Sequence, residues 1–294
     1  MTGFARICLI GLGEVGQILA DDLSKAGVKQ ISAYDILFCD PESIPSKVAA
    51  ARNLRVAHSA AEAANDAELV LCAVTAASDV DAAEAVARGD LGGAFYVDFN
   101  SASPESKRKA SKVIERANGR YVEAAVMTPF PPKRIASPML LGGPHAAEFL
   151  ECAAPLGVKA EVFSTEIGKA SATKMCRSVM IKGIEALLTE SMLCARRYGV
   201  EDTVLNSLSD LLPVGDWHRL ARYMISRSLE HGVRRAEEMR EVANTVREAG
   251  VAPLMSAACA KRQDWAAEHK SALKTDGLAS MLDSILKDID RTRA

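Results

Sequence analysis

The sequence predicts an α/β fold in which an N-terminal, Rossmann-type, doubly wound and mostly parallel sheet is followed by an all-helical C-terminal domain. Two observations lead to this prediction. In residues 1–165, apolar runs of strand length alternate with helical patterns, which is typical of a parallel sheet covered on both faces. In residues 166–294 the strand-like runs stop and a 3.6-residue periodicity continues to the end. We therefore expect two domains, 1–165 and 166–294.

The first element is the strand-like run Arg6–Ile10, which leads directly into Gly11-x-Gly13-x-x-Gly16 and then into a helical pattern ending near Gly27. In such a βα unit Gly11 permits a tight turn, Gly13 lets the backbone approach a pyrophosphate, and Gly16 lets the helix pack on the strand. This order predicts a dinucleotide-binding loop. Its expected cofactor-binding residues are Gly11, Leu12, Gly13, Glu14, Val15 and Gly16.

The second strand, Ile31–Asp35, ends in an acidic residue 19 positions after the last glycine of the loop. A carboxylate there can accept hydrogen bonds from the adenosine ribose hydroxyls. Asp35 would also repel the 2′-phosphate of NADP, and Ile36–Phe38 offers no basic side chain to compensate. NAD is therefore the expected cofactor. NADP is kept as the alternative because Lys47 or Arg52, distant in sequence, could reach the site.

The remaining strands of the sheet are predicted from further apolar runs. They are Leu54–His58, Leu69–Val74, Phe95–Phe99, Tyr121–Val126, Met139–Leu141 and Ala160–Ser164. At the end of the second run, Val74 and Thr75 are additional cofactor-binding candidates. A helix is expected over Pro104–Ala117, and we interpret its basic run, Ser106–Lys112, as a solvated face.

The C-terminal half reads as a set of helices. The first is a long helix over Glu166–Tyr198, which contains no proline, and later helices are expected at Val204–Leu212, Trp217–Arg235, Ala236–Ala249 and Leu278–Asp290. Their apolar side chains exceed what one long helix normally hides, so we expect a homodimer with two-fold symmetry joined through this half. The residues behind this argument are Leu187, Leu188, Leu193, Leu208, Leu211, Leu212, Met224 and Ile225.

Composition narrows the class of function. The 36 basic and 38 acidic residues nearly balance, which argues against a nucleic-acid partner or an anionic membrane surface. The five histidines and seven cysteines are scattered without metal-ligand spacing, so no metal is expected. Without a secretory signal or a membrane-length apolar run, a cytoplasmic protein with reduced thiols is predicted.

One lysine in the long helix is a candidate for proton transfer. Lys174 follows the small residues of Gly168-Lys-Ala-Ser-Ala, which allow another backbone or a ligand to approach closely. A lysine in a crowded, partly dry site loses affinity for its proton and can act as base or acid near neutral pH. From the residues alone, an ordinary surface lysine is an equal alternative.

The order of these motifs resembles that of the β-hydroxyacid dehydrogenase superfamily, which includes 3-hydroxyisobutyrate dehydrogenase and phosphogluconate dehydrogenase. The resemblance spans the whole chain and is closest to a bacterial branch with a phosphogluconate-dehydrogenase-like C-terminal domain. The family's Asp-x-Ser-Thr-x-x-Pro matches Asp98–Pro104, with Asn100 and Ser101 in the Ser-Thr positions. Its Gly-x-Gly-x-x-x-Lys maps onto Gly168, Ala170 and Lys174, with alanine in the second glycine position. The resemblance implies that Lys174 is the catalytic lysine and that the protein is a dimer with interlocking C-terminal helices.

Two departures from the family pattern concern the substrate. Ser178 stands where the family has asparagine, and Met127–Pro132 stands where the family has Ser-Gly-Gly. Three of these six residues are prolines, which have no N–H to bind a substrate carboxylate. We therefore expect a bulkier or less anionic substrate, with an arginine such as Arg134 as the alternative carboxylate ligand. The substrate-binding candidates are Asn100, Ser101, Thr128 and Ser178.

The function predicted from these features is hydride transfer between NAD(P) and a β-hydroxy acid-like or other small hydroxy compound, with Lys174 as general acid/base. Two alternatives remain open. Imine reduction is carried out by a sister family with this architecture, but those enzymes generally carry aspartate or tyrosine at the position of Lys174. A non-catalytic dinucleotide sensor would be expected to have lost the lysine.

Overall fold

A computed structural model of the chain describes residues 3–208, 213 and 215–293. The chain divides into two compact units, residues 1–175 and 176–294. The described part contains no helix long and apolar enough to cross a membrane.

The first unit contains an eight-stranded sheet that confirms the predicted mostly parallel architecture. Its strands are β1 (Arg6–Ile10), β2 (Gln30–Tyr34), β3 (Arg55–Val56), β4 (Leu69–Cys72), β5 (Phe95–Asp98), β6 (Arg120–Val126), β7 (Met139–Gly142) and β8 (Ala160–Ser164). Their order is β3-β2-β1-β4-β5-β6-β7-β8. Neighbouring strands are parallel, except that β6 and β7 are antiparallel. The carboxyl ends of β1, β2, β4, β5 and β6 therefore lie at one edge of the sheet.

Helices pack on both faces of this sheet. They are α1 (Glu14–Lys25), α2 (Ile44–Ala51), α3 (Ala60–Ala64), α4 (Asp79–Val86), α5 (Pro104–Arg116) and α6 (Ala146–Ala153). Alternate residues of β1 belong to opposite cores: Ile7 and Leu9 to one, Cys8 and Ile10 to the other. The side chains on both faces of these strands are buried, which explains why the strands are continuous apolar runs in the sequence.

The helical part of the chain begins with α7 (Lys169–Tyr198) and continues with α8 (Glu201–Leu208), α9 (Trp217–Glu248), α10 (Leu254–Ala267) and α11 (Leu278–Arg293). The core of the second unit includes Met192, Leu205, Ile225, Met281 and Ile285. Helix α9 joins two helices that were predicted separately and departs from helical backbone angles only at His231 (φ −119°, ψ 17°).

The structure of this region differs from the sequence analysis in two respects. Helix α10 was not predicted, because it buries the polar residues Ser256 and Gln263 while Leu254 and Met255 are exposed, so no apolar stripe marks it. The side chains of Leu188, Leu193 and Ile225, on which the dimer argument partly rested, are buried within the second unit. Leu187 is exposed, and Leu211 and Leu212, with the end of the predicted helix Val204–Leu212, lie outside the described residues.

Candidate active site

The glycine loop between β1 and α1 has the shape that a dinucleotide pyrophosphate requires. Gly11 has φ +88°, and a Cβ on it would lie 2.5 Å from the carbonyl oxygen of Ala73. A Cβ on Gly16 would lie 2.1 Å from the carbonyl oxygen of Gly11, so helix and turn pack backbone to backbone. At Gly13, the N-cap of α1, a Cβ would meet no heavy atom within 4 Å, and no side chain caps the helix. The first N–H groups of α1 are therefore available to an anion.

The carboxylate of Asp35 is tied to this loop. Its Oδ2 accepts a hydrogen bond from the Leu12 N–H at 2.8 Å, and its Oδ1 accepts one from the Leu37 N–H at 2.9 Å. Each carboxylate oxygen can accept more than one hydrogen bond, so ribose hydroxyls can still be bound. The glycine loop and the expected ribose acceptor are thus held next to each other, an arrangement that fits NAD.

The basic residues that kept NADP open as an alternative are both held in ion pairs. Lys47 Nζ lies 2.9 Å from a Glu42 carboxylate oxygen. Arg52 Nε lies 2.6 Å from Asp21 Oδ1, and this hydrogen bond raises the pKa of Arg52 and lowers that of Asp21.

The other cofactor-binding candidates lie near the same edge of the sheet. The Val74 N–H donates to Asn100 Oδ1 at 2.7 Å. Thr75 is exposed, and its hydroxyl lies 3.0 Å from that of Ser78. In the glycine loop Leu12 is buried, Val15 is half-buried and Glu14 is exposed.

A buried network of charged and polar groups, Asp79, Asp98, Asn100, Lys107 and Tyr121, lies directly beneath this edge. Lys107 Nζ is 2.6 Å from Asp98 Oδ1 and 3.9 Å from Asp79 Oδ1, and the Tyr121 hydroxyl donates to Asp98 Oδ2 at 2.6 Å. Burial, together with the neighbouring Asp98 carboxylate, raises the pKa of Asp79 to about 8. Burial lowers the pKa of Lys107, but the two aspartates outweigh it and the pKa is raised.

This network corrects the interpretation of Ser106–Lys112 as a solvated face. Lys107 is only 1% exposed, and Ser111 is also buried. Lys107, Ala110, Ser111 and Ile114 share one helical face, a spacing that could have marked them as inward-facing.

Asn100 is held inside the network rather than projecting from it. The residue is buried, its Nδ2 donates to Asp79 Oδ1 at 2.7 Å, and its backbone N–H donates to Asp98 Oδ1 at 2.9 Å. In this arrangement both ends of the amide side chain contact protein atoms. The predicted contact of Asn100 with substrate therefore stays a prediction.

Lys174 and Ser101 come together in the first unit. Lys174 Nζ donates to Ser101 Oγ at 2.7 Å, and both residues are half-buried. Gly168, with φ +101°, precedes the first residue of α7, so the helix begins later than the predicted Glu166. A Cβ on Gly168 would lie 3.3 Å from Pro104 Cβ at the start of α5, and Ala170 is fully buried. These small residues let α7 approach closely enough for Lys174 to reach Ser101.

The loop after β6 differs from its expected role in one respect. The segment Met127–Pro132 was expected to accommodate a bulkier group, but its one aromatic side chain, Phe130, is a buried core residue in edge contact with Phe99, with ring centroids 6.4 Å apart. Thr128 is exposed in this loop. Arg134, the alternative carboxylate ligand, donates from Nε to Asp22 Oδ1 at 2.7 Å.

Ser178 lies one turn after Lys174 on α7, in the second unit. It is buried and accepts a hydrogen bond from Lys182 Nζ at 3.3 Å. Within the described residues, no group of three or more His, Cys, Asp or Glu side chains could hold a metal ion.

Comparison with protein families gives two matches along the chain. Residues 6–149 match the NAD binding domain of 6-phosphogluconate dehydrogenase. Residues 195–266 match a domain of unknown function, DUF1932. The first match runs from β1 into α6, so it leaves out β8, and it includes the glycine loop and Asp35.

Several known proteins are similar to this chain. A conserved hypothetical protein from Sinorhizobium meliloti is 34% identical, with 98% of this chain and 97% of that chain covered and a TM-score of 0.74. A conserved protein of unknown function with structural similarity to 3-hydroxyacid dehydrogenases is 31% identical, with 90% and 97% covered and a TM-score of 0.70. Mitochondrial 3-hydroxyisobutyrate dehydrogenase from Drosophila melanogaster is 26% identical over 69% of this chain and 62% of its own length.

More distant structures share the fold alone. A reductive aminase from Aspergillus terreus, in complex with NADPH and ethyl levulinate, is 14% identical, with 97% of this chain and 99% of that chain covered and a TM-score of 0.56. The two relatives above 30% identity align over nearly their full length, and one of them resembles 3-hydroxyacid dehydrogenases. Together with the NAD-binding match, they show that this chain is an NAD(P)-binding member of the β-hydroxyacid dehydrogenase superfamily.

Proposed function

We propose that the protein is an NAD-dependent dehydrogenase that interconverts the hydroxyl group of a β-hydroxy acid-like compound and the corresponding carbonyl, with Lys174 as the general acid/base. The observation that carries this proposal is the 2.7 Å hydrogen bond from Lys174 Nζ to Ser101 Oγ. It places an ionisable amine in the same compact unit as the dinucleotide loop. Proton transfer by such a group typically accelerates a reaction by ~10²–10⁴-fold.

Side chains of the protein would transfer the proton and orient the substrate, while a bound nicotinamide would accept or donate the hydride. During oxidation the substrate hydroxyl loses its proton to the neutral amine of Lys174 as its C–H bond gives up the hydride and the carbonyl forms. During reduction the ammonium of Lys174 returns the proton to the carbonyl oxygen. The Ser101 hydroxyl orients Nζ, and the buried network that includes Asn100 fixes the segment that carries Ser101. Thr128 and Ser178 are proposed to orient the substrate.

The proposed preference for NAD over NADP rests on Asp35 and on its surroundings. A 2′-phosphate would meet the Asp35 carboxylate, and the side chains that follow it, Ile36 and Leu37, are exposed and apolar. The ion pairs of Lys47 with Glu42 and of Arg52 with Asp21 support this preference, since each cation already has a carboxylate beside it that would repel a phosphate.

The substrate is proposed to be bulkier or less anionic than 3-hydroxyisobutyrate at the end that faces the loop after β6. Pro129, Pro131 and Pro132 cannot donate backbone hydrogen bonds to a carboxylate. Arg134, the alternative ligand for that carboxylate, is paired with Asp22. The bulkier end of the substrate would not contact Phe130, because that side chain is buried in the core.

The proposed assembly is a homodimer formed through the helical half. Exposed apolar side chains occur on three helices of the second unit: Met180 and Leu187 on α7, Val233 on α9, and Leu254 and Met255 on α10. Covering them would remove apolar surface from water, which favours association.

The direct test is a panel of hydroxy acids, hydroxy amino acids and aldehydes, assayed with NAD(H) and NADP(H) at the nicotinamide absorbance. The proposal expects turnover of a hydroxy acid with NAD and higher kcat/KM for larger β-substituted acids than for 3-hydroxyisobutyrate or glycerate. Efficient turnover of those small acids, at about 10⁴ M⁻¹s⁻¹ or more, would contradict the proposed substrate class. A ketone assayed with an amine in the same panel tests imine reduction. NADH binding without turnover of any compound would indicate a sensor.

A further inference from the structure

Glu123 is a buried carboxylate in the middle of the sheet. It lies on β6, opposite Asp98 of β5 and Gly142 of β7, and it is fully buried. A buried carboxylate is tolerated in a protein only where hydrogen-bond donors satisfy it. The donors that surround Glu123 therefore indicate what it does.

Two of these donors are backbone N–H groups at the start of α7. Glu123 Oε2 accepts a hydrogen bond from the Gly168 N–H at 2.7 Å, and Oε1 accepts one from the Ser171 N–H. The first N–H groups of a helix have no partner within the helix, and the helix dipole favours a negative charge there. The strand residue thus caps a helix that begins more than 40 residues later in the sequence.

The surroundings of the carboxylate leave it little freedom to move. A Cβ on Gly142 would lie 2.7 Å from Glu123 Oε2, so the glycine on the adjacent strand provides the space for this oxygen. The positive φ of Gly168 turns its N–H group toward Glu123 immediately before the helix begins. Ser171 Oγ closes the first turn by donating to the Gly168 carbonyl oxygen at 3.2 Å.

We infer that Glu123 is a positioning residue for Lys174, an inference that rests on the proposed acid/base role of this lysine. Lys174 follows Ser171 by three residues, just under one helical turn. A bidentate cap that fixes the N–H groups of Gly168 and Ser171 therefore fixes both the start and the rotation of the turn that carries Lys174. That rotation determines whether Nζ can reach Ser101 Oγ.

Two variants of the full-length protein disturb the cap in different ways. Glu123→Gln keeps the shape of the side chain but removes its charge and replaces one acceptor oxygen with a donor. Gly142→Ala keeps the charge but places a methyl group 2.7 Å from the present position of Oε2, too close for both to stay in place. Ser32→Ala is the matched control, because it removes a buried hydrogen bond, 2.6 Å from Ser32 Oγ to the Ala63 carbonyl oxygen, elsewhere in the same unit.

Three measurements follow the consequence of each change. Hydrogen exchange, read by mass spectrometry on peptides covering residues 166–175, reports the cap itself. Acetylation of Lys174 as a function of pH, with Lys169 as the internal reference, reports the environment of the amine. The kcat, KM and NADH dissociation constant, measured with the best hydroxy acid of the panel, report the effect on turnover.

For both cap variants we expect at least tenfold faster exchange at residues 168–171 and a displaced labelling curve for Lys174 only. The value of kcat should fall at least tenfold while the NADH dissociation constant stays within twofold, and Ser32→Ala should leave all of these unchanged. Glu123→Asp, which keeps the charge on a shorter side chain, should recover part of the loss. If Glu123→Gln does not fold, Gly142→Ala gives the same readouts with the carboxylate retained.

The inference is overturned if exchange at 168–171 stays at the wild-type rate in the cap variants, or if it rises while the Lys174 labelling curve does not move. Exchange and labelling need no substrate. If the wild-type protein turns over no compound in the panel, the proposed function is rejected. The labelling curve of Lys174 would still decide whether Glu123 positions this lysine.

Discussion

The hydrogen bond between Lys174 and Ser101 gives a quantitative prediction for Ser101→Ala. Lys174 Nζ lies 2.7 Å from Ser101 Oγ, a normal distance for a charge-assisted hydrogen bond. Such bonds contribute roughly 1.5–3 kcal/mol. Both residues are half-buried, so solvent screening favours the lower end. A loss of about 1.4 kcal/mol in transition-state stabilisation corresponds to about tenfold in kcat/KM, which is the expected effect of Ser101→Ala.

The assay is steady-state oxidation of the best hydroxy acid with NAD, followed at the nicotinamide absorbance. Ser101→Thr is the matched control, since it retains the hydroxyl and should keep most of the activity. If Ser101 acts by orienting Lys174, Ser101→Ala should have little further effect on kcat/KM in the Lys174→Met background. The effects of substitutions at residues that act as a unit are not additive. A Ser101→Ala enzyme within twofold of wild type would refute this reasoning, as would a full tenfold loss that persists in the Lys174→Met background.

Three further predictions follow from the cofactor site, the buried network and the helical half. Asp35→Ala should weaken NAD binding and narrow the preference over NADP, and a wild-type kcat/KM tenfold higher with NADP would contradict the role given to Asp35. Burial raises the pKa of Asp79 to about 8 in the folded protein, against ~4 in an unfolded chain. Between these values the folded protein holds a proton that the unfolded chain has lost, so the contribution of Asp79 to the free energy of unfolding falls as the pH rises from about 4 to 8. Asp79→Asn cannot titrate, and its thermal midpoint should decline less between pH 5 and 8 than that of the wild type; an equal or steeper decline would count against this account. Light scattering at micromolar protein should give the mass of a dimer, and a monomer mass would refute the proposed assembly.

The features that could be predicted from the sequence are those set by neighbouring residues. The glycine loop was predictable because turn, helix start and strand follow one another within about a dozen residues, and Gly11 and Gly16 are required there by backbone contacts. The strands were predictable because a sheet covered on both faces needs continuous apolar runs. Lys174 was a candidate from its own surroundings and from a family resemblance, and Ser101 from the resemblance alone, but no local pattern indicates that the two side chains touch.

The features that could not be predicted depend on long-range contacts. The helical spacing of Lys107 could have marked it as inward-facing, but its partner Asp98 lies on another element, and no local pattern identifies that ion pair. Glu123 lies in an apolar strand, and its donors at Gly168 and Ser171 follow more than 40 residues later. Helix α10 buries Gln263 and exposes Leu254, so it lacks the apolar stripe that identifies an amphipathic helix.

The central claim is that Lys174 transfers a proton during hydride transfer, and Lys174→Met tests it most directly. Methionine keeps an unbranched apolar side chain and removes the amine, while Lys169→Met removes an exposed lysine from the first turn of the same helix as a control. The measurement is kcat with the best hydroxy acid, together with the NADH dissociation constant from fluorescence titration. We predict a fall in kcat of ~10²–10⁴-fold with NADH binding within twofold of wild type. Retention of most of the activity in Lys174→Met would contradict the claim.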